Sequence, residues 1–235
     1  YEALNLWAEY KKSFGDHSLT AMVGYNQESK ETSNMYGKTT GLFVNDIPVI
    51  DLAGTKQNLE EEATIWAVQG AFFRLNYDYK GKYLLEVNGR YDGSSKYGED
   101  DRWGFFPSAS AAWRISEENF FKNNVRFIDY LKLRASIGLL GNDAVGGWQW
   151  MQRYNLNTGA YFGSLSNGVS ADVIPNTEIT WEKSLDIDYG FDMQILRNRL
   201  SLSAGGFYKH TYDILGDRLA SLPSTFGGVM PKENY

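Results

Sequence analysis

The fold class this sequence predicts is all-β, an antiparallel up-and-down transmembrane β-barrel wall, and three observations predict it. Strand-length segments alternate apolar with polar residues, the two-residue period of a strand with one greasy and one wet face. About eight such segments follow one another. The connections between them run short, long, short, long, moderate, long, short. In an up-and-down sheet alternate connections share an edge, so this order gathers the long ones at one edge, as in outer-membrane barrels. A soluble sandwich has no reason to sort its loops.

Composition agrees. With 16 Tyr, 13 Phe, 7 Trp and 24 Gly against 5 Pro, the chain suits many strands joined by tight turns. The absence of Cys excludes a disulfide scaffold and a thiolate metal site. A net charge of -6, from 29 acidic and 23 basic residues without a Lys/Arg cluster, argues against a nucleic-acid surface. No apolar run is long enough for a transmembrane helix. A barrel crosses the bilayer with strands apolar only at alternate positions, so a mean hydropathy of -0.43 is compatible with one.

The first segment places Leu4, Leu6, Ala8 and Tyr10 opposite Asn5, Glu9 and Lys11, with Trp7 as the exception. After a Gly15-Asp16 turn, Leu19, Ala21, Val23 and Tyr25 face away from Thr20, Gly24 and Asn26. From Gln27 to Glu62 the alternation disappears, and a long functional loop is expected there. Ala71 to Tyr79 and Tyr83 to Asp92 then form a hairpin turning at Lys80-Gly81-Lys82. A loop from Gly93 to Gly104 leads to a strand over Ser108–Ile115, and a moderate connection to a sixth strand around Leu131–Ile137. Leu139 to Thr180 is Gly- and Asn-rich, with a strand extension expected near Trp148–Tyr154. The seventh and eighth strands, Ser184–Ile195 and Leu200–Lys209, flank an Arg197-Asn198-Arg199 turn, and the tail from Asp213 reads as loop.

The faces indicate two solvents. Arg74, Asp78, Glu86, Arg90, Asp186, Asp188 and Asp192 share the wet parity, costly in a packed core but inexpensive along a water-filled lumen. The other parity carries Leu, Ile, Val, Phe, Tyr and Ala, with Tyr77, Tyr79 and Tyr83 beside a short turn where an interfacial aromatic girdle belongs. A soluble antiparallel sheet packed on one face shows the same alternation, so a lectin-like sandwich and a complete eight-stranded barrel with a structural or adhesion role remain alternatives.

No catalytic constellation stands out, so an enzyme is not expected, and no cofactor either. His17 and His210 sit at strand ends as surface residues rather than metal ligands. Glu99-Asp100-Asp101 offers clustered carboxylates without the spaced pattern of a dedicated calcium loop. The glycines of YDGSSKYG and FGGV do not lead a strand into a helix, so they cradle no phosphate. Trp148, Trp150, Tyr154, Tyr161 and Phe162 are candidate cargo-stacking aromatics on one rim, or else residues that pack the loops together.

The run RYDGSSKYGEDDRWGFFPSASAAWRISEENF, Arg90 to Phe120, resembles the signature of the SusC/RagA family of TonB-dependent outer-membrane transporters. In order with it stand LNYDYKGKYLLEVNGR (Leu75–Arg90), LKLRASIGLLGN (Leu131–Asn142), PNTEITWEKSLDIDYGFDMQILRNRLSLSAGGFYK (Pro175–Lys209) and PSTFGGVMPKENY (Pro223–Tyr235). The resemblance is weakest over 27–62 and 143–174. It implies a barrel of about 22 strands in the bacterial outer membrane, closed by an N-terminal plug. It also implies a TonB box, a SusD-type surface lipoprotein over the barrel mouth, and oligosaccharide or peptide cargo. Residues 1–235 show no signal peptide, TonB box or plug, so the expectation is an internal piece of the barrel domain.

Overall fold

The computed structural model describes residues 1–40, 58–161, 165–217 and 230–235. Twelve strands occur among them: β1 (Glu2–Phe14), β2 (His17–Lys38), β3 (Asn58–Tyr79), β4 (Tyr83–Ser94), β5 (Trp103–Arg114), β6 (Ile128–Asn142), β7 (Tyr154–Tyr161), β8 (Leu165–Ala171), β9 (Glu182–Ile195), β10 (Leu200–Tyr212), β11 (Leu215–Asp217) and β12 (Lys232–Asn234). Eight of them form one sheet in the order β1-β2-β3-β4-β5-β6-β9-β10, and every pairing is antiparallel. This is the predicted up-and-down count. The two end strands pair with one neighbour each and not with each other, which speaks against a complete eight-stranded barrel. The eight strands lie in one sheet rather than two facing ones, which speaks against the sandwich. The pairs β7–β8 and β11–β12 are separate two-stranded sheets within the long connections.

The short connections share one edge. Gly15-Asp16 closes β1 onto β2 with Gly15 at φ 58°. Lys80 and Gly81 both have positive φ (58° and 63°) and Lys82 N–H donates to Tyr79 O at 2.9 Å, the geometry of a type I′ hairpin turn. Asp78 stabilises this turn by accepting the Gly81 N–H at 2.6 Å. Leu196, Arg197 and Asn198 turn β9 into β10 through three successive positive φ values. A 3-10 turn at Ile115–Glu117 and the helix α1 (Asn119–Asn124) occupy the moderate connection at the same edge.

At the opposite edge the structure departs from the predicted loops. β2 and β3 are 22 residues each and stay in register from His17↔Tyr79 to Lys38↔Asn58, so much of the stretch from Gln27 to Glu62 is strand rather than loop. At about 3.3 Å per residue they are about twice the 9 to 11 residues that span a bilayer. The outer halves read as loop because neither face there is consistently apolar, with Met35, Tyr36 and Leu59 scattered and exposed among Ser, Asn, Lys and Glu, and the ladder is carried by backbone hydrogen bonds without a buried side to impose alternation. β5 starts at Trp103, five residues before the expected strand, because Phe106 and the glycines around it break the pattern. Trp148 to Trp150 is a turn, with Trp148 at φ 65°, and the strand expected there begins only at Tyr154. The tail holds the short β11–β12 ladder, while Pro223, Gly227 and Gly228 lie outside the described residues.

The two faces keep their parity across every ladder. Rows such as Leu6↔Tyr25↔Ala71↔Tyr91↔Phe105 form the apolar face, and rows such as Asn76↔Glu86↔Ser110↔Ser136↔Asp188 the polar one. Beside the short turns, rings of the apolar face make a belt from strand to strand: Phe14–His17 at 5.1 Å, His17–Tyr79 at 4.7 Å, Tyr79–Tyr83 at 6.2 Å and Tyr83–Trp113 at 6.3 Å between centroids. A second aromatic pair, Tyr91 stacked on Trp103 at 4.9 Å, lies on the same face towards the long loops. Trp103 and Trp113 are ten residues apart on β5, about 33 Å along a strand. At a tilt of about 40° that projects to about 25 Å, the height of an outer-membrane apolar band.

The buried core is small and sits where the polar face meets the long loops. Tyr97, Phe106, Ile179 and Trp181 form it, with Val68, Leu139, Val145, Trp150 and Leu215 packed around. Phe106 fits because Gly104 and Gly141 leave its ring the space that two side chains would fill. There the β5–β6 ladder stops at Ser108↔Gly138, next to Pro107, which has no N–H to continue it.

Two outcomes are expected. Replacing both Thr32 and Ser33 by Pro removes at least one donor to β3, since successive N–H groups point to opposite sides. In the full-length protein this should abolish hydrogen-exchange protection over 30–38 and 58–66 while β4–β6 stay protected. Phe106→Ala should weaken the core by about 3–5 kcal/mol, read as much faster exchange over 95–102; unchanged exchange would show that Phe106 does not hold that loop.

Candidate functional site

The polar face is lined by charged groups that largely satisfy one another. Arg74 Nε donates to Asn88 Oδ1 at 2.9 Å, and Asn88 Nδ2 donates to Glu86 Oε1 at 2.8 Å. Arg90 grips Asp92 with two bonds of 2.8 and 3.0 Å, donates to Asn26 Oδ1 at 2.9 Å and lies over the Phe72 ring. Asp92 is buried, and the bidentate fork supplies the geometry that a desolvated carboxylate requires. On β9, Asp192 accepts from Ser203 at 2.7 Å and lies 3.5 Å from Arg134, and Asp186 accepts from Ser184 at 3.2 Å. Asp188 is exposed and shares a polar recess of about 210 Å³ with Lys132 and Arg134. Asp78 belongs to the turn rather than to an open surface, since its carboxylate already accepts the Gly81 N–H. A larger recess of about 420 Å³ lies between Arg74, Arg90 and Phe106.

Above this face the long connections are tied into one block. Asp143 is one centre: its Oδ2 accepts from Trp66 Nε1 at 3.1 Å and Ser94 Oγ at 2.9 Å, and its backbone O accepts Lys96 Nζ at 2.7 Å. Asn234 is another, bonded to the N–H and the O of Thr180 and to Asp213 O. Trp181 Nε1 donates to Arg102 O at 2.9 Å, and Tyr97 stacks obliquely on Trp181 at 5.4 Å. Burial, and then the charges of Asp143 and Glu182, push the Tyr97 phenol well above its ordinary range, so it remains a neutral donor, here to Asn142 O at 3.4 Å. Asp143 and Asn234 carried no signal in the sequence, because a lone Asp or Asn in a loop is ordinary until its partners are known.

The candidate aromatics do not converge on one spot. Trp150 packs against the buried core and over Gly98, which is the loop-packing alternative, although its indole N–H is buried without a partner. Trp148 and Tyr154 are exposed, the latter at the start of β7. Tyr161 ends β7; its side chain and Phe162 lie outside the described residues. Glu99 and Asp100 are exposed, and among the described residues no group of three His, Cys, Asp or Glu side chains is arranged to hold a metal ion. His17 belongs to the aromatic belt, with Nδ1 2.7 Å from Tyr77 Oη, and His210 stacks beside Tyr212.

Comparisons with known proteins agree with this architecture. The family model "TonB dependent receptor-like, beta-barrel" matches residues 2–231. TonB-dependent receptor P39 of Formosa agariphila is 34% identical over 88% of this chain and 20% of its own length. TonB-dependent receptor SusC of Bacteroides thetaiotaomicron is 30% identical over 98% of this chain and 24% of its own. Among solved structures, that of the RagAB peptide transporter superposes with a TM-score of 0.85 at 23% identity, covering 98% of this chain and 25% of that one. The chain thus spans between a fifth and a quarter of the length of these relatives. By the family model, its SusC relative and the eight-stranded sheet together, the chain belongs to the TonB-dependent receptor β-barrel family.

Proposed function

We propose that this chain forms part of the wall and extracellular loops of a TonB-dependent nutrient importer in the bacterial outer membrane. The observation that carries the reading is the match of the family model over 2–231 to a sheet whose connections are sorted by length between its two edges. In this reading the apolar face meets lipid, and the short turns at Lys80-Gly81-Lys82 and Arg197-Asn198-Arg199 are periplasmic. Arg74, Glu86, Arg90, Asp186, Asp188 and Asp192 line a water-filled lumen, with Asp78 at its periplasmic rim. The aligned charges hold the wall's polar face without a packed core, and the recess at Arg74, Arg90 and Phe106 lies open to that lumen.

The cargo is an oligosaccharide or a peptide. RagAB's description as a peptide importer favours the second, and the resemblance to the SusC/RagA family leaves the first in play. Partners are a SusD-like surface lipoprotein at the loop edge and TonB, reached through other parts of the importer. The loop block tied by Asp143 and Asn234 suits a rim that presents aromatics at fixed positions, and Trp148 and Tyr154 are the exposed members of the set. This role is one of binding and passage, not of chemistry.

The test is import by the full-length receptor with its lipoprotein, using a panel of oligosaccharides and short peptides. One of the two classes should be taken up in a TonB-dependent manner. Aromatic contacts are worth about 0.5–1.5 kcal/mol each, so Trp148→Ala with Tyr154→Ala should weaken cargo binding about tenfold with the barrel still folded. Unchanged binding would remove these two rings from the cargo site.

A further inference from the structure

We propose that the apolar face of β5 and β6 carries a binding slot for one hydrocarbon tail of a phospholipid. The slot follows from the register. One cross-strand row reads Leu85↔Ala111↔Ala135↔Tyr189, so two alanines lie side by side, whereas other alanines of this face, such as Ala21 and Ala71, have large cross-strand partners on both sides. Tyr189 would close over Ala135, but its ring reaches the other way, over Gly206: a Cβ there would lie 2.8 Å from its hydroxyl. The result is an open apolar groove of about 760 Å³ floored by Ala111 and Ala135. Trp113 and Leu133 form its wall on the side of the short turns, within the aromatic belt.

The dimensions select the occupant. Along β5 the small floor continues over Ala109, which the register places between Val87 and Ile137. Those flanking strands are about 10 Å apart, and their side chains take up most of that width. An alkyl chain fits what is left, whereas a helix about 10–12 Å across does not. Without a hydrophobic driving force inside a bilayer, packing contacts alone decide which surface a tail prefers, and a slot with walls offers more of them than a flat stretch.

The same region says that the tail, not the headgroup, is recognised. At the mouth of the slot Tyr83 Oη and Trp113 Nε1 both donate to Glu118 Oε1, at 2.7 and 3.3 Å, and Lys82 Nζ donates to Glu118 Oε2 at 3.0 Å. Tyr83, then Lys82, hold the Glu118 carboxyl below its usual range, so it stays ionised and keeps Lys82 occupied. Lys122 is likewise matched by Glu117 at 2.7 Å. These cations are therefore not free to select an anionic headgroup.

The inference rests on the membrane reading, and one experiment separates the two. The full-length receptor is placed in nanodiscs of phosphatidylethanolamine and phosphatidylglycerol containing a phosphatidylcholine with a diazirine in its acyl chain, and photolabelled peptides are quantified. Labelling should concentrate several-fold at 109–113 and 133–137 relative to 4–10 and 19–25, with no change when phosphatidylglycerol is omitted. Ala111→Phe with Ala135→Phe, or the milder Ala135→Leu, should remove the excess while the receptor keeps its heat-modifiable migration. Even labelling along the wall, or an excess that survives filling the slot, would overturn the slot alone. No labelling anywhere on the apolar face would overturn the membrane reading itself.

Discussion

Backbone hydrogen bonding is the constraint on which the rest of this structure depends. In hydrocarbon an unpaired N–H or C=O has no water to turn to, so a spanning chain must pair every one of them internally. The antiparallel ladder does this strand by strand from β1 to β10. Everything else accommodates it. The turns at one edge are tight because nothing is gained by making them longer, and the elaborate segments collect at the other. Among the described residues β1 and β10 each pair on one side alone, so the eight strands are an open sheet whose edges invite pairing with further strands.

A wall of this kind has no interior of its own, which explains where stability is found. Side chains on the apolar face remain exposed within the chain, Leu6 and Leu85 among them, as the proposed contact with lipid requires. The polar face is held by charge pairing such as Arg90–Asp92 rather than by burial. Among the described residues a conventional core cluster forms at the loop edge, where Phe106, Trp181, Ile179 and Tyr97 meet. There the bulky rings pair with missing side chains, Phe106 with Gly104 and Gly141, a theme repeated by Phe72 over Gly24 and Phe73 over Gly89. Trp7, on the polar parity opposite Gly24, stays exposed, because the space over that glycine is already taken by Phe72.

Most of the wall was legible in the sequence because one apolar and one polar face write alternation directly into it. The strand count, the turn at Lys80-Gly81-Lys82 and the parity of Asp186, Asp188 and Asp192 all follow from that single physical contrast. The contrast fades towards the long connections, and so did legibility. Glu60 to Glu62 are strand, yet three exposed glutamates in a row give nothing to distinguish their faces. Phe106 broke the pattern of β5 because it packs with Tyr97, Ile179 and Trp181 of the loops and not with the polar row of its own face. For the candidate site, the residue types were visible but their partners were not. The bond from Asp78 to the Gly81 N–H and the three contacts of Asp143 depend on distances that no spacing reveals. Trp150 shows the cost: an aromatic in a loop was readable, but not that it would pack on Gly98 while Trp148 stayed in the open.

The central claim is that the two edges of this sheet face opposite sides of a membrane, and residues 1–235 hold no cysteine to compete for a label, any cysteine outside them being replaced by serine first. Single cysteines at Asp100, Ala144, Lys80 and Asn198 of the full-length protein, produced in intact cells, would be exposed to a membrane-impermeant maleimide. The account predicts labelling at Asp100→Cys and Ala144→Cys in intact cells, and at Lys80→Cys and Asn198→Cys only after the outer membrane is opened. Equal labelling of all four in intact cells would contradict it.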